Sequence, residues 1–209
     1  MIRPPSVVLA TRSEGKVREL AAMCAARGVT AIGLAEAGFP DEDPAEEALE
    51  GYDTFEANAR AKAVWFAARL PGRLVVADDS GLEVLALGGA PGVRSKRWTG
   101  SSATGAALHA ENNAALLAAL EGSPDRRARF VCVMVARLGD REWVGSGECA
   151  GRILEAPAGS EGFGYDPLFW SEELGAAFGT VGRDTKGRVS HRARAFAALL
   201  EGIESSDGE

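Results

Sequence analysis

Leu74-Val75-Val76-Ala77-Asp78-Asp79-Ser80-Gly81 is the stretch on which the fold turns. Four apolar residues read as a buried strand, which ends in two adjacent carboxylates, and glycine and small residues then run to Gly100. In an open α/β sheet, ligands collect where strands end. Two like charges side by side are costly unless a cation or hydrogen-bond donors compensate them. Hard, oxygen-rich ligation of this kind suits Mg²⁺, which joins one or two carboxylates to substrate phosphates. The plainer alternative is a helix start, with Asp79 and Ser80 capping backbone donors.

Outward from this strand, strands and helices alternate, which argues for a mixed α/β protein. Ser6 to Ala10 reads as a short strand, and a polar turn leads to a helical pattern from Glu14 to Arg27. The region from 44 to 70 is expected to be helical and broken near Gly51, since Asp43-Pro44 and Asp53-Thr54 are both start signals. A further helix is expected from Thr104 to Leu120. Phe130 to Ala136 and Glu142 to Cys149, turned at Gly139-Asp140, read as a hairpin in the sheet centre that Gly151 to Leu154 extends. Leu168 to Trp170 reads as a short strand, and helices around Ser171 to Phe178 and Ser190 to Ile203 close the chain. These elements form one domain over residues 1–203, and the acidic tail 204–209 is expected to fray.

The chain has 209 residues, 46% hydrophobic and 25% charged, enough for a core without metal or disulfide staples. Twenty-three Lys plus Arg against 30 Asp plus Glu leave a net charge of -7. Such a chain lacks the basic footprint of a nucleic-acid binder, so an anionic ligand needs a local cluster or a metal ion. Cys24, Cys132 and Cys149 show no metal-ligand or disulfide spacing and read as reduced thiols. After Arg3 the apolar run Val7 to Ala10 is too short for a signal-peptide core, and no stretch approaches a membrane span. A cytoplasmic location is the expectation.

Three further segments carry chemistry. Thr11-Arg12-Ser13-Glu14-Gly15-Lys16 lies between a strand and a helix, where free N–H groups favour an anion such as phosphate. The P-loop spacing is absent, and the alternative is an ordinary capping loop with a solvated lysine. Gly159-Ser160-Glu161-Gly162-Phe163-Gly164-Tyr165-Asp166-Pro167 could bring backbone and a ring against a ligand, or could be a turn with Phe163 in the core. Lys186 and Ser190-His191-Arg192 flank the start of the last helix and read either as site residues or as surface decoration. His109 lies within an expected helix and carries no assignment.

In this order, the segments resemble the inosine triphosphate pyrophosphatase family over nearly the whole chain, from Val7 to about Leu200. The resemblance rests on Val8 to Lys16, Thr54-Phe55 through Asn58 with Lys62-Ala63, Ala77 to Leu82 through Gly88 to Gly92, Gly162 to Pro167, and Ser190 to Arg192. It implies a twisted mixed sheet in two lobes around a central nucleotide cleft, a homodimer, and Mg²⁺-dependent cleavage of dITP, ITP or XTP to monophosphate and pyrophosphate. Thr11, Arg12, Ser13, Glu14, Gly15 and Lys16 would hold the triphosphate. Asp79 would be the proton acceptor and a metal carboxylate, with Asp78 beside it. Ser80, Phe163, Gly164, Tyr165, Asp166, Lys186, His191 and Arg192 would hold the nucleoside, Phe163 by stacking.

Two departures stand out. Ser13 occupies a position where the family usually has Asn, and Ala57 stands where it commonly has a metal-site Glu. Glu56 is turned about 100° from that position on a helix and cannot substitute for it. Two other functions fit the same segments: a pyrophosphatase for other modified nucleotides, and a nucleotide-binding module with weakened catalysis.

Overall fold

The computed structural model of the chain describes residues 6–206. Its strands are β1 (Ser6–Leu9), β2 (Thr30–Gly33), β3 (Leu74–Val84), β4 (Arg127–Leu138), β5 (Arg141–Ile153), β6 (Phe169–Ser171) and β7 (Ala176–Ala177). Its α-helices are α1 (Glu14–Ala25), α2 (Phe55–Arg69), α3 (Gly105–Ala119), α4 (Arg183–Lys186) and α5 (His191–Ser206). The strands form one mixed sheet in the order β2-β1-β3-β4-β5-β6-β7, with helices flanking it. Arg3 and residues 207–209 lie outside the described residues.

The chain divides into two compact units. The first holds the residues up to Asp79, Cys132–Gly147 and those from Ala193 on. Here β1 runs parallel to both β2 and β3, with Val8 opposite Ile32 and Val75. Strand alternation sends neighbouring side chains to opposite faces. Val7, Leu9, Leu74 and Val76 pack with Leu20 and Cys24 of α1 and Leu199 of α5. Val8, Ala10, Val75 and Ala77 pack with Ala59, Ala63 and Phe66 of α2. Both faces are therefore covered, which explains why these strands read as continuous apolar runs rather than alternating ones.

The second unit comprises Ser80–Val131 and Glu148–Arg192. Its core gathers Leu82, Leu116, Phe130, Phe169 and Phe178, with Phe130 and Phe169 ring centroids 4.6 Å apart. On β4, Arg127 and Arg129 alternate outward with buried Ala128 and Phe130. Arg129 bonds Glu83 at 2.7 Å and Glu148 at 3.0 Å on that outer side.

Three expectations are corrected. The strand that opens at Leu74 does not stop at Ala77 but continues to Val84, so Asp78 and Asp79 lie within β3 and cap no helix. Residues 171–178 are not helical: Gly175, at φ 62°, turns the chain between β6 and β7, and Ser171 Oγ accepts from the N–H of Leu174. Residues 204–206 belong to α5 rather than to a frayed tail, and Trp143 Nε1 donates to Ser206 Oγ at 2.5 Å.

Candidate active site

Asp78 and Asp79 are consecutive in a strand, so their carboxylates leave on opposite faces. Asp78, fully buried, meets Lys16 of α1 at 3.1 Å on the same face as Val76. Asp79, on the α2 side, accepts from Asn58 Nδ2 at 3.0 Å and from Lys62 Nζ at 3.2 Å. The expectation that both serve one metal ion therefore meets the alternation of the strand, which separates them. The neighbouring carboxylate on the Asp79 side is Glu50, whose Oε1 lies 3.5 Å from Lys62 Nζ. Glu50 ends a 3-10 helix, Pro44–Glu50, opened by a capping box at Asp43.

Lys62 carries the electrostatics of this group. Its ammonium also donates to the Asp78 carbonyl at 2.7 Å. Burial alone would lower its pKa, but Asp79, Glu50 and Asp78 outweigh burial and raise it, so the side chain is a cation in the interior. Asn58 is pinned in turn: its Oδ1 accepts from the N–H of Tyr52 at 2.9 Å, and its Nδ2 bonds the Tyr52 carbonyl at 3.3 Å.

The segment Thr11 to Lys16 is divided among several roles. Ser13 caps α1, its Oγ accepting from Lys16 N at 3.5 Å, and its own N–H donates to Thr11 Oγ1 at 3.2 Å. Gly15 is buried in the first turn. Glu14 is exposed and pairs with Arg18, one turn on. Arg12 is turned to Glu46, which it grips through Nε at 3.0 Å and Nη2 at 2.6 Å, and it also donates to the carbonyls of Phe39 and Asp41, each at 2.7 Å. The bond to Glu46 raises the guanidinium pKa. Burial alone would raise Glu46, but bonds from Arg12 and the Asp43 N–H hold it below the usual carboxylate range.

The second unit assembles the other candidates. Asp166 Oδ2 accepts from Phe163 N at 2.8 Å and Lys186 Nζ at 2.6 Å, both partners of the ion pair being buried. This closes the Gly162–Asp166 turn so tightly that a Cβ on Gly162, already at φ 77°, would lie 2.0 Å from Asp166 Oδ2. Gly164 accepts through its carbonyl from Asn113 of α3 at 3.1 Å. Tyr165 is buried and donates to the Ser95 carbonyl at 2.9 Å; burial pushes its phenol pKa up. Arg192 donates to Ser80 Oγ at 2.8 Å. The ring of Phe163 lies 5.0 Å from Lys186 Nζ and 5.7 Å from Arg192 Cζ, whereas His191 stacks on Phe130 at 4.7 Å inside the unit.

Within the first unit Asp79 is held by two α2 donors and Asp78 meets Lys16 of α1, and within the second a glycine turn carries the Phe163 ring, so each unit holds its own segments of the sequence resemblance. Residues 7–202 match the Ham1 family. The chain belongs to the Ham1 family. It is 45% identical over 204 residues to a dITP/XTP pyrophosphatase of Thermus thermophilus, covering 96% of this chain and 93% of the relative. Among solved structures it is similar to the Ham1 protein of Staphylococcus aureus, with 34% identity, a TM-score of 0.79 and coverage of 96% and 99%. It is also similar to a nucleoside-triphosphatase / dITP/XTP pyrophosphatase of Mycobacterium abscessus, with 37% identity, a TM-score of 0.70 and coverage of 93% and 98%. The resemblance read from the sequence is borne out.

In this Ham1 chain Glu50 and Glu46 carry no site signal in the sequence, and Asn58 and Lys62 stand there only as part of the resemblance, with no role attached. Glu46 stood in the sequence as the third residue of a capping box, but nothing marked its second partner 34 positions away. Glu56 is outside the group around Asp79, paired with Arg60 at 2.8 Å, as the helical turn between positions 56 and 57 requires.

The fork geometry of Arg12 makes a prediction. Arg12→Lys keeps the charge but cannot reach Glu46 and two carbonyls together. Unfolding free energy, measured in urea, is expected to fall by about 1–2 kcal/mol. Unchanged stability with a raised KM would instead assign Arg12 to the phosphates.

Proposed function

We propose that this chain hydrolyses deaminated purine nucleoside triphosphates, dITP, ITP and XTP, to the monophosphate and pyrophosphate, removing them from the nucleotide pool. The observation that carries the reading is the Asp79 carboxylate, held by Asn58 and Lys62 in a chain whose Ham1 relatives are named dITP/XTP pyrophosphatase. Water attacks the α-phosphorus and a P–O bond forms. Asp79 takes the proton, and the bond to the bridging oxygen breaks to release pyrophosphate. Lys16 and Lys62 neutralise charge that grows on the phosphate oxygens, where buried cations act most strongly.

The donor set around Asp79 fits Mg²⁺. Glu50 and Asp79 present hard oxygens to one cation already, the Lys62 ammonium. Among the described residues no three His, Cys, Asp or Glu side chains gather into a cage, so the remaining ligands would be phosphate oxygens and waters, as Mg²⁺ prefers. When bound by Asp79 and Glu50, the ion supplies Lewis-acid polarisation of the phosphoryl oxygens and charge neutralisation for the leaving pyrophosphate. Asp78, named with Asp79 as a metal carboxylate from sequence, acts in this reading through Lys16.

The groups of the second unit suit the nucleoside. Hypoxanthine and xanthine carry an acceptor at position 6 and a donor at N1, and adenine carries the reverse. Donors from Lys186, Arg192, His191 or the loop N–H groups pair with the 6-oxo group and meet adenine's amino group donor to donor. A cytoplasmic homodimer belongs to the same proposal. Cys24, Cys132 and Cys149 are buried thiols that form no disulfide, and among the described residues no helix is long and apolar enough to cross a membrane.

The test is pyrophosphate release with Mg²⁺ from dITP, XTP, dATP, dGTP and dUTP. Cleavage of dITP and XTP with kcat/KM about 10²-fold or more above dATP is expected. Equal turnover of dATP, or preference for dUTP, sinks the base assignment, and binding without turnover sinks the enzyme.

A further inference from the structure

His109 comes from α3, and its ring centroid lies 6.4 Å from that of Phe163 with the planes 44° apart. Both rings are partly exposed. The two are neither stacked nor perpendicular, so they form an open angle rather than a packed aromatic pair. A flat base lying between two rings needs about 7 Å between them, twice the contact distance of carbon atoms. The observed spacing is about 0.6 Å short of that and the planes are 44° from parallel, so a base enters between the rings only as one of them turns.

One turn along the same helix face, Asn113 fixes this geometry. Its Nδ2 donates to the Gly164 carbonyl at 3.1 Å, tying α3 to the loop that carries Phe163. That bond also settles which end of the amide is which. Asn113 Oδ1 is buried and, among the described residues, has no hydrogen-bond partner.

We propose that His109 is a second base-contacting residue, which with Phe163 forms the two walls between which the purine ring of the nucleotide lies. The inference rests on the purine nucleotide reading above and adds a residue to it. Burial lowers the His109 pKa against the opposing pull of Asp166, so the ring that faces the base at neutral pH is the uncharged imidazole. Lys186 and Arg192, the cations near Phe163, then remain available for the polar edge of the base.

The chain has two histidines, so its imidazole proton spectrum holds two sets of signals, assigned with His109→Gln. Titration of the wild-type protein with IMP is expected to move the His109 signals upfield through the ring current of the base, and ribose 5-phosphate is expected to leave them in place. In kinetics, His109→Ala is expected to raise KM for dITP about fivefold or more with kcat within about twofold, and His109→Phe to restore KM. His109 signals that IMP leaves unmoved overturn the proposal, as does a KM that Ala leaves unchanged or that Phe fails to restore. Failure of the wild-type protein to cleave dITP overturns the functional reading instead, and the IMP titration then still decides whether His109 meets a base.

Discussion

Asp79→Asn is expected to lower kcat for dITP by about 10³-fold, the range in which removal of a positioned general base falls. The substitution conserves shape, but the site does not tolerate the exchange of an acceptor for a donor. Both Asp79 oxygens accept: Oδ2 from Asn58 and Oδ1 from Lys62. An asparagine there must aim its NH₂ group at one of two donors. Asn58 cannot flip to accommodate it, because both ends of its amide are committed to Tyr52. Loss of a buried bond of this kind costs about 1–3 kcal/mol, so the variant is also expected to be less stable. Denaturant titration therefore accompanies the assay, with kinetics measured where both proteins are folded. A folded variant that keeps more than a tenth of wild-type kcat removes Asp79 from the role of base.

Much of the fold was legible because its signals are local. A polar turn followed by a helical pattern marked α1, the start signal at Asp53-Thr54 marked α2, and the apolar run Phe130–Ala136 marked β4 as central. What failed was what depends on partners distant in sequence. Asp78-Asp79 reads as a strand end on its own, since two carboxylates rarely continue a buried strand. β3 continues because Lys16, Asn58 and Lys62 arrive from two helices to compensate them. β2 went unread because Thr30–Gly33 is four residues long and only partly buried, and it gains its strand character by parallel pairing with β1.

The site was legible in the same uneven way. Its motifs name the segments, while the division of labour within each segment is a matter of direction. Thr11 to Lys16 was read as one phosphate loop, yet Arg12 leaves it toward Glu46, Glu14 toward Arg18 and Lys16 toward Asp78. Glu50 carries no motif signal at all. Its place beside Asp79 depends on the length of the 3-10 helix that ends on it and on a lysine twelve residues later in the sequence.

The second large effect is in stability. Asp166→Ala is expected to lower the unfolding free energy by about 3–5 kcal/mol, because it leaves the Lys186 ammonium buried without its closest anion. The same carboxylate oxygen holds the Phe163 N–H, so the Gly162–Asp166 turn loosens and the ring that would carry the base loses its fixed position. Two origins of the loss are separable. If the cost comes from an uncompensated charge, Asp166→Ala combined with Lys186→Met recovers a large part of it, since a neutral pair of matching bulk is often no worse than a buried ion pair. If it comes from the turn, the double variant is as unstable as the single one, and Asp166→Asn, which still offers an oxygen to Phe163 N, is the milder change. Urea denaturation of the three variants reads this directly. The charge account predicts that Lys186→Met alone costs less than Asp166→Ala, because Asp166 keeps the Phe163 N–H as a donor whereas the ammonium, being all donor, gains nothing from the turn it faces. Equal losses from the two single substitutions would contradict it.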